Sequence, residues 1–171
     1  TTTTPSQGYS IRCSCKQNAA TTSDIIKLNT SDGSANSYSA TIQISQTQIK
    51  IYDNIGSAVV GTATLTTTTG IEFLVSMRDD KVYVFYQRFK GASNDIMNEY
   101  KTWGELSSSS LTNDNNTTVT ASSLQWGSFA VTHNVTFYEF AFSLGSYTGE
   151  DLSPDTELTG RSYPFRGSYS Y

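Results

Sequence analysis

The stretch Gly70 to Gln87, GIEFLVSMRDDKVYVFYQ, decides the fold class. Ile71, Phe73, Val75 and Met77 fall on one face of an extended chain, and beyond Asp79-Asp80 the residues Val82, Val84 and Tyr86 fall on a matching face. Two-residue periodicity on both sides of an acidic turn predicts a half-buried antiparallel hairpin. Tyr83 and Phe85 take the opposite face, so the second strand is apolar on both sides. Either another layer of the domain or a partner must cover it.

The same alternation runs outward in both directions. Upstream, strands are expected at Tyr9 to Lys16, Asp24 to Leu28, Tyr38 to Ser45, Gln48 to Asp53 and Ser57 to Leu65. Ile42 and Ile44 are answered by Ile49 and Ile51 across Gln46-Thr47, which reads as a second hairpin. Downstream, Phe89 to Glu99 breaks the pattern, Tyr100 to Leu106 restarts it, and SSSSLTNDNNTT from 107 to 118 is a surface loop. Val119 to Ala121, Leu124 to Val131 and Val135 to Leu144 follow as strands. In the last, Tyr138, Phe140, Phe142 and Leu144 are expected on one face and Glu139, Ala141 and Ser143 on the other.

No segment carries the i, i+3, i+4, i+7 apolar stripe of a helix. About ten to thirteen short antiparallel strands with frequent turn signals predict an all-β, two-sheet antiparallel β-sandwich of the jelly-roll kind. Residues 1–8 read as disordered or linking, 9–152 as the sandwich and 153–171 as a tail laid on the surface or leading to a following domain. Both ends look cut from a larger parent.

Composition narrows the partners. The chain of 171 residues has 11 basic and 15 acidic side chains, a net charge of −4, and no concentrated positive patch. Nucleic acid and anionic membrane surfaces, which need such a patch, are set aside. No apolar run approaches the ~20 residues of a membrane helix, so no membrane insertion is expected. Cys13 and Cys15, the only cysteines, point to the same face of one strand with poorly aimed Cβ vectors, and read as two small buried thiols.

The order YSIRCSCK, DIIKL, KVYVFYQ, SLQWGSFA and FYEFAFSLGSYTGEDLS resembles the concanavalin A-like sandwich, especially its laminin G-like branch. The likeness covers roughly residues 9 to 152 and rests on strand order with a few aromatic and glycine positions, among them Trp126-Gly127 and Gly145 to Gly149. The exit GRSYPFRGSYSY is similar to connectors in structural proteins of tailed bacteriophages. The resemblance implies a virion or extracellular location, a concanavalin A-like lineage, and calcium as an optional ligand of loop carboxylates. Asp32, Asp53, Asp79, Asp80, Asp95 and Asp114 all lie in expected turns, where Asp also serves as a turn former.

Three functional classes compete. Glycoside hydrolysis needs two carboxylates facing one site, and the E-x-D-x-x-E arrangement of the glucanase branch is absent. Glu139 stands alone on its strand, and His133 has no nucleophile elbow near it. No catalytic residue is assigned, and the chain is expected not to be an enzyme. A lectin-like carbohydrate site needs an aromatic platform with amide and carboxylate groups on nearby loops, which Trp103 and Tyr100 with Asn94, Asp95, Asn113 and Asn115 would supply. Trp126 is expected in the core. Assembly needs exposed aromatics, for which Tyr83, Phe85, Tyr163, Phe165, Tyr169 and Tyr171 are the candidates, with other copies or neighbouring virion or extracellular proteins as partners. The main expectation is a non-catalytic structural or adhesion module; the alternative is a carbohydrate-binding module, with or without calcium.

Overall fold

The computed structural model describes residues 8–65, 70–88, 104–127 and 134–144. These form ten β-strands and no helix: β1 (Tyr9–Gln17), β2 (Ser23–Ser31), β3 (Ser37–Ile44), β4 (Gln48–Asp53), β5 (Ala58–Thr64), β6 (Ile71–Arg78), β7 (Lys81–Arg88), β8 (Gly104–Ser107), β9 (Ser123–Trp126) and β10 (Val135–Leu144). They pair antiparallel in two five-stranded sheets, β10-β1-β6-β7-β8 and β5-β4-β3-β2-β9. The all-β sandwich read from the alternation is the fold observed.

Both hairpins form as expected. In β6–β7, Phe73 faces Tyr86, Val75 faces Val84 and Met77 faces Val82, with Asp79 turning the chain at φ 50°. In β3–β4, Ile42 faces Ile51 and Ile44 faces Ile49. The inner faces of the two sheets meet in one core. Ile11, Cys13, Phe73 and Val75 come from the first, and Ile26, Leu28, Ile42, Ile49 and Ile51 from the second. Burial of such side chains contributes roughly 1.5–3 kcal/mol each. Cys13 and Cys15 are both buried free thiols, and burial pushes the Cys15 thiol well above its ordinary pKa, with Cys13 beside it adding to the rise.

The open sides of the sandwich are closed differently. On one, Trp126 of β9 stacks on Phe140 of β10 with ring centroids 4.7 Å apart and meets Phe137 edge-on at 5.8 Å. On the other, the Ser109 amide donates to the Val60 carbonyl at 3.0 Å, and a Cβ at Gly61 would lie 3.0 Å from the Ser107 carbonyl oxygen, so a side chain there would push β8 a few tenths of an ångström away from β5. Tyr9 of β1 spans the core, its hydroxyl directed at the carbonyls of Asn29 and Ser123 at 2.9 and 3.0 Å.

Four expectations change. Val119 to Ala121 is not a strand; Val119 instead anchors a loop by burying its side chain. The strand expected from Leu124 to Val131 ends at Trp126, while residues 100–103 of the one expected from Tyr100 to Leu106 lie outside the described residues. In β10 the inner residues before Phe140 are Val135 and Phe137, not Tyr138. A bulge opposite Ser14/Cys15 adds one residue to β10 and shifts the alternation. Finally, Phe85 is 4% exposed and Leu74 6%, so the outer face of the first sheet at this point is covered within the single chain and Phe85 is no surface contact. Of the expected linker at 1–8, residues 1–7 lie outside the described residues, as do residues 145–152 of the expected sandwich and the whole expected tail at 153–171.

Phe73 is fully buried between the sheets. Phe73→Ala is expected to destabilise the domain by about 3–5 kcal/mol in urea unfolding, whereas Thr62→Ala, at an exposed position of β5, should change stability by less than about 0.5 kcal/mol.

Candidate functional site

Because the inner positions of β2, β3 and β4 are apolar, the intervening residues are forced onto the outer face of the second sheet. There the strand register aligns Asn29 beside Ser123 and Ser39, and Thr41 beside Lys27 and Tyr52. The aligned side chains bond to one another. Thr41 Oγ1 donates to Asn54 Oδ1 at 2.9 Å, Asn54 Nδ2 to Ser39 Oγ at 2.8 Å, Ser39 Oγ to Asn29 Oδ1 at 2.6 Å, and Asn29 Nδ2 to Ser123 Oγ at 2.8 Å. Each of the two amides uses one N–H and one oxygen lone pair in this ladder, leaving one of each. Alongside it, Gln43 Nε2 donates to Asp24 Oδ1 at 2.8 Å.

Four members of the ladder, Asn54, Ser39, Asn29 and Ser123, form the floor of a cavity of about 670 Å³, a size typical of small-molecule sites. Lys27 also lines it, with Ile55 on one side and residues 118–121 and Asp114 on the other. That second wall belongs to the β8–β9 connection, residues 108–122. Connections of this length without regular structure are uncommon in compact domains, and this one is held by bonds to both sheets. Ser108 and Leu111 amides donate to the carbonyls of Val82 and Asp80, and the Asp114 amide to that of Ser37. Ser31 Oγ donates to Asn116 Oδ1 at 2.7 Å, and the Ser31 amide to Ser122 Oγ at 2.9 Å.

Two carboxylates shape the wall. Asp53, 2% exposed, accepts from the amides of Ile55 and Gly56 at 3.0 Å and of Thr112 at 2.9 Å, tying the β4–β5 turn to the connection. A Cβ at Gly56 would lie 2.5 Å from Thr112 Oγ1 and 2.6 Å from Asp53 Oδ2, so the junction needs glycine. Burial alone would raise the Asp53 pKa, but the hydrogen bonds from Gly56, Thr112 and Ile55 outweigh it and hold the carboxyl below its ordinary value. Asp114 accepts from Thr117 Oγ1 at 2.6 Å and from the amides of Thr118 and Val119. The Thr117 bond is the main cause of its lowered pKa.

The same pattern bears on calcium. Asp32 accepts from the amides of Ser34 and Asn36 and from Asn36 Nδ2, so Asp32, Asp53 and Asp114 all act as turn formers. Among the described residues no group of three or more His, Cys, Asp or Glu side chains is placed to hold a metal ion.

Of the ligand residues expected from sequence, Asn94, Asp95, Tyr100 and Trp103 lie outside the described residues. Asn113 and Asn115 are described and sit in the 108–122 connection, where they serve the loop. Asn113 Oδ1 accepts from the Asn115 amide at 2.8 Å and from the Ser37 amide at 3.3 Å, and Asn115 sits at φ 50°. Neither lines the cavity. Tyr83 is half-buried beside Ser76 and Ser107; Tyr163, Phe165, Tyr169, Tyr171 and His133 lie outside the described residues. The cavity floor, Lys27, Asn29, Ser39, Asn54 and Ser123, does not stand out in the sequence. Its signal is the run of amides and hydroxyls at outward positions of β2 and β3, which becomes a site only once register brings the strands together.

No family model matches the chain, and no curated protein does. Among solved structures, the chain is similar to the enzymatically active domain of tailspike protein 2 of bacteriophage CBA120, with a TM-score of 0.54 at 8% identity over 91% of this chain and 24% of that one. The full-length tailspike protein 2 from the Escherichia coli O157:H7 bacteriophage gives a TM-score of 0.51 at 9% identity, over 85% of this chain and 21% of that one. A family 7 alginate lyase, A1-II′, gives 0.43 at 12% identity over 86% and 65%. The chain thus spans under a quarter of the length of the tailspikes it matches. Two expectations are overturned. A fold that occurs within an enzymatically active domain gives no ground for setting catalysis aside, so the non-catalytic structural or adhesion reading is withdrawn, and with it the expectation that the chain is not an enzyme. Among the described residues, no helix is long and apolar enough to cross a membrane.

The Asp53 clamp generates a pH prediction. Its folded-state pKa is depressed, so its contribution to stability is complete above the unfolded value of about 3.9 and is lost as pH falls through the lower folded value. Asp53→Asn is expected to destabilise the domain by about 2 kcal/mol at neutral pH. The wild-type advantage in thermal melts should disappear in acid below that range.

Proposed function

We propose that this domain is a carbohydrate-engaging module of a phage virion protein, holding glycan on the outer face of its second sheet. The observation that carries the reading is the bonded ladder from Asn54 through Ser39 and Asn29 to Ser123 on the floor of the cavity. A sugar hydroxyl both donates and accepts, and the N–H and lone pair left on each of Asn29 and Asn54 offer it both partners. Each amide is already oriented by its neighbours, so little side-chain freedom is lost on binding. The virion context is supported by the similarity to tailspike sandwiches. A concanavalin A-like lineage belongs to the same reading, supported by the order of strands in the two sheets.

A second reading is that the face also cleaves the chain it holds. It is favoured by the first of those tailspike structures, which is that of an enzymatically active domain. Both readings are tested on soluble polysaccharides, a neutral β-glucan and an alginate, by calorimetry for binding and by release of reducing ends for cleavage.

Asn29→Ala and Asn54→Ala are each expected to weaken polysaccharide binding by about tenfold, the ~1.4 kcal/mol of one hydrogen bond. Thr62→Ala, outside the cavity, is expected to bind as wild type. Equal affinity in all four proteins would overturn the proposal.

A further inference from the structure

The outer face of the second sheet does not end at the cavity. Gln125, Lys27, Thr41, Tyr52 and Val59 are successive Cα partners across β9, β2, β3, β4 and β5. At a strand spacing of about 4.8 Å this row is ~19 Å long. Lys27 lies in the cavity, and the row leads away from it toward the edge strand β5.

Its far end differs in chemistry from its near end. Val59 is 48% exposed, the only exposed large hydrophobic residue among those described. A bulge between Ile51 and Tyr52 sets its orientation: Val60 packs against the core, and Val59 is turned outward beside the half-buried Tyr52. Between Tyr52 and the cavity stands Thr41, 4% exposed, whose hydroxyl is already bonded to Asn54. The surface therefore passes from bonded amides, across a small buried threonine, to a shelf made of one aromatic ring and one branched aliphatic side chain.

A pyranose ring has hydroxyls on its rim and C–H groups on its faces, so it needs polar partners at the edge and an apolar platform beneath. The cavity supplies the first and the shelf the second. Their separation is that of the strands between them, and each strand spacing is close to the length of one sugar unit. We propose that Tyr52 and Val59 form a second carbohydrate subsite, and that the ligand is a linear oligosaccharide laid across the strands from the cavity to the β5 edge. This rests on the reading of the cavity as a carbohydrate site. It adds that the substrate class is an extended chain rather than a single sugar or a branch tip.

The test uses size-fractionated partial hydrolysates of an alginate and of a β-1,4-glucan, from dimers to hexamers, titrated by calorimetry into wild type, Tyr52→Ala and Tyr52→Ala/Val59→Thr. Thermal melts confirm that the variants fold. In the series that binds, affinity is expected to rise by about tenfold between dimer and hexamer. The double variant should reduce the hexamer to the affinity of the dimer. In wild type, the hexamer but not the dimer should shift the amide resonances of Tyr52 and Val59. Binding that depends on Asn29 and Asn54 but does not vary with length, or a length dependence untouched by the double variant, would overturn the second subsite and leave the cavity reading standing. Absence of binding by every oligomer of both series, and by the parent polysaccharides, would overturn both.

Discussion

Two sheets share one apolar interior layer, and the period of an extended chain sends every residue not in that layer to an outer face. Ile26 and Leu28 on β2, and Ala40, Ile42 and Ile44 on β3, leave no choice about where Lys27, Asn29, Ser39, Thr41 and Gln43 stand. A slip of one residue between β2 and β3 would place amides in the core and isoleucines in water, so core packing also fixes the register of the polar array. The cavity floor is in this sense a by-product of hydrophobic burial on the other side of the same strands.

The fold is legible because its signal is local. Alternation in the β6–β7 segment and in β3–β4 can be read from a handful of neighbouring residues, and both hairpins form with the expected partners. Where the alternation misleads, a single extra residue is responsible: the bulge in β10 exchanges Tyr138 for Phe137 on the inner face. The residues around Val119 mislead for a related reason. A valine among threonines has the composition of a strand, but here one buried apolar side chain anchors a connection whose amides bond to carboxylates and carbonyls instead of a ladder.

The candidate site is far less legible. Ser123 and Asn29 are bonded neighbours separated by 94 positions along the chain, and nothing within either segment announces the other. The sequence draws attention to aromatics and to loop Asn and Asp residues, since these are the types that stand out. In the structure, Asn113 and Asp53 tie the 108–122 connection to the second sheet, and the Asp114 carboxylate folds the connection back on itself at Thr117 to Val119. Their work is to build the wall, while plainer residues on the strands make the surface it encloses. Distinguishing the two roles needs the pairing of β2 with β9, which is a property of topology and not of any one segment.

The bonded side chains above the second sheet all hand their protons in the same direction, from Thr41 through Asn54, Ser39 and Asn29 to Ser123. Such a relay polarises each member in turn and gives the surface a sense, with unlike termini at β3 and at β9. A polysaccharide also has unlike ends. A chain laid along this relay in one orientation would therefore meet a different electrostatic pattern from the same chain reversed, and the domain could tell head from tail without contacting either.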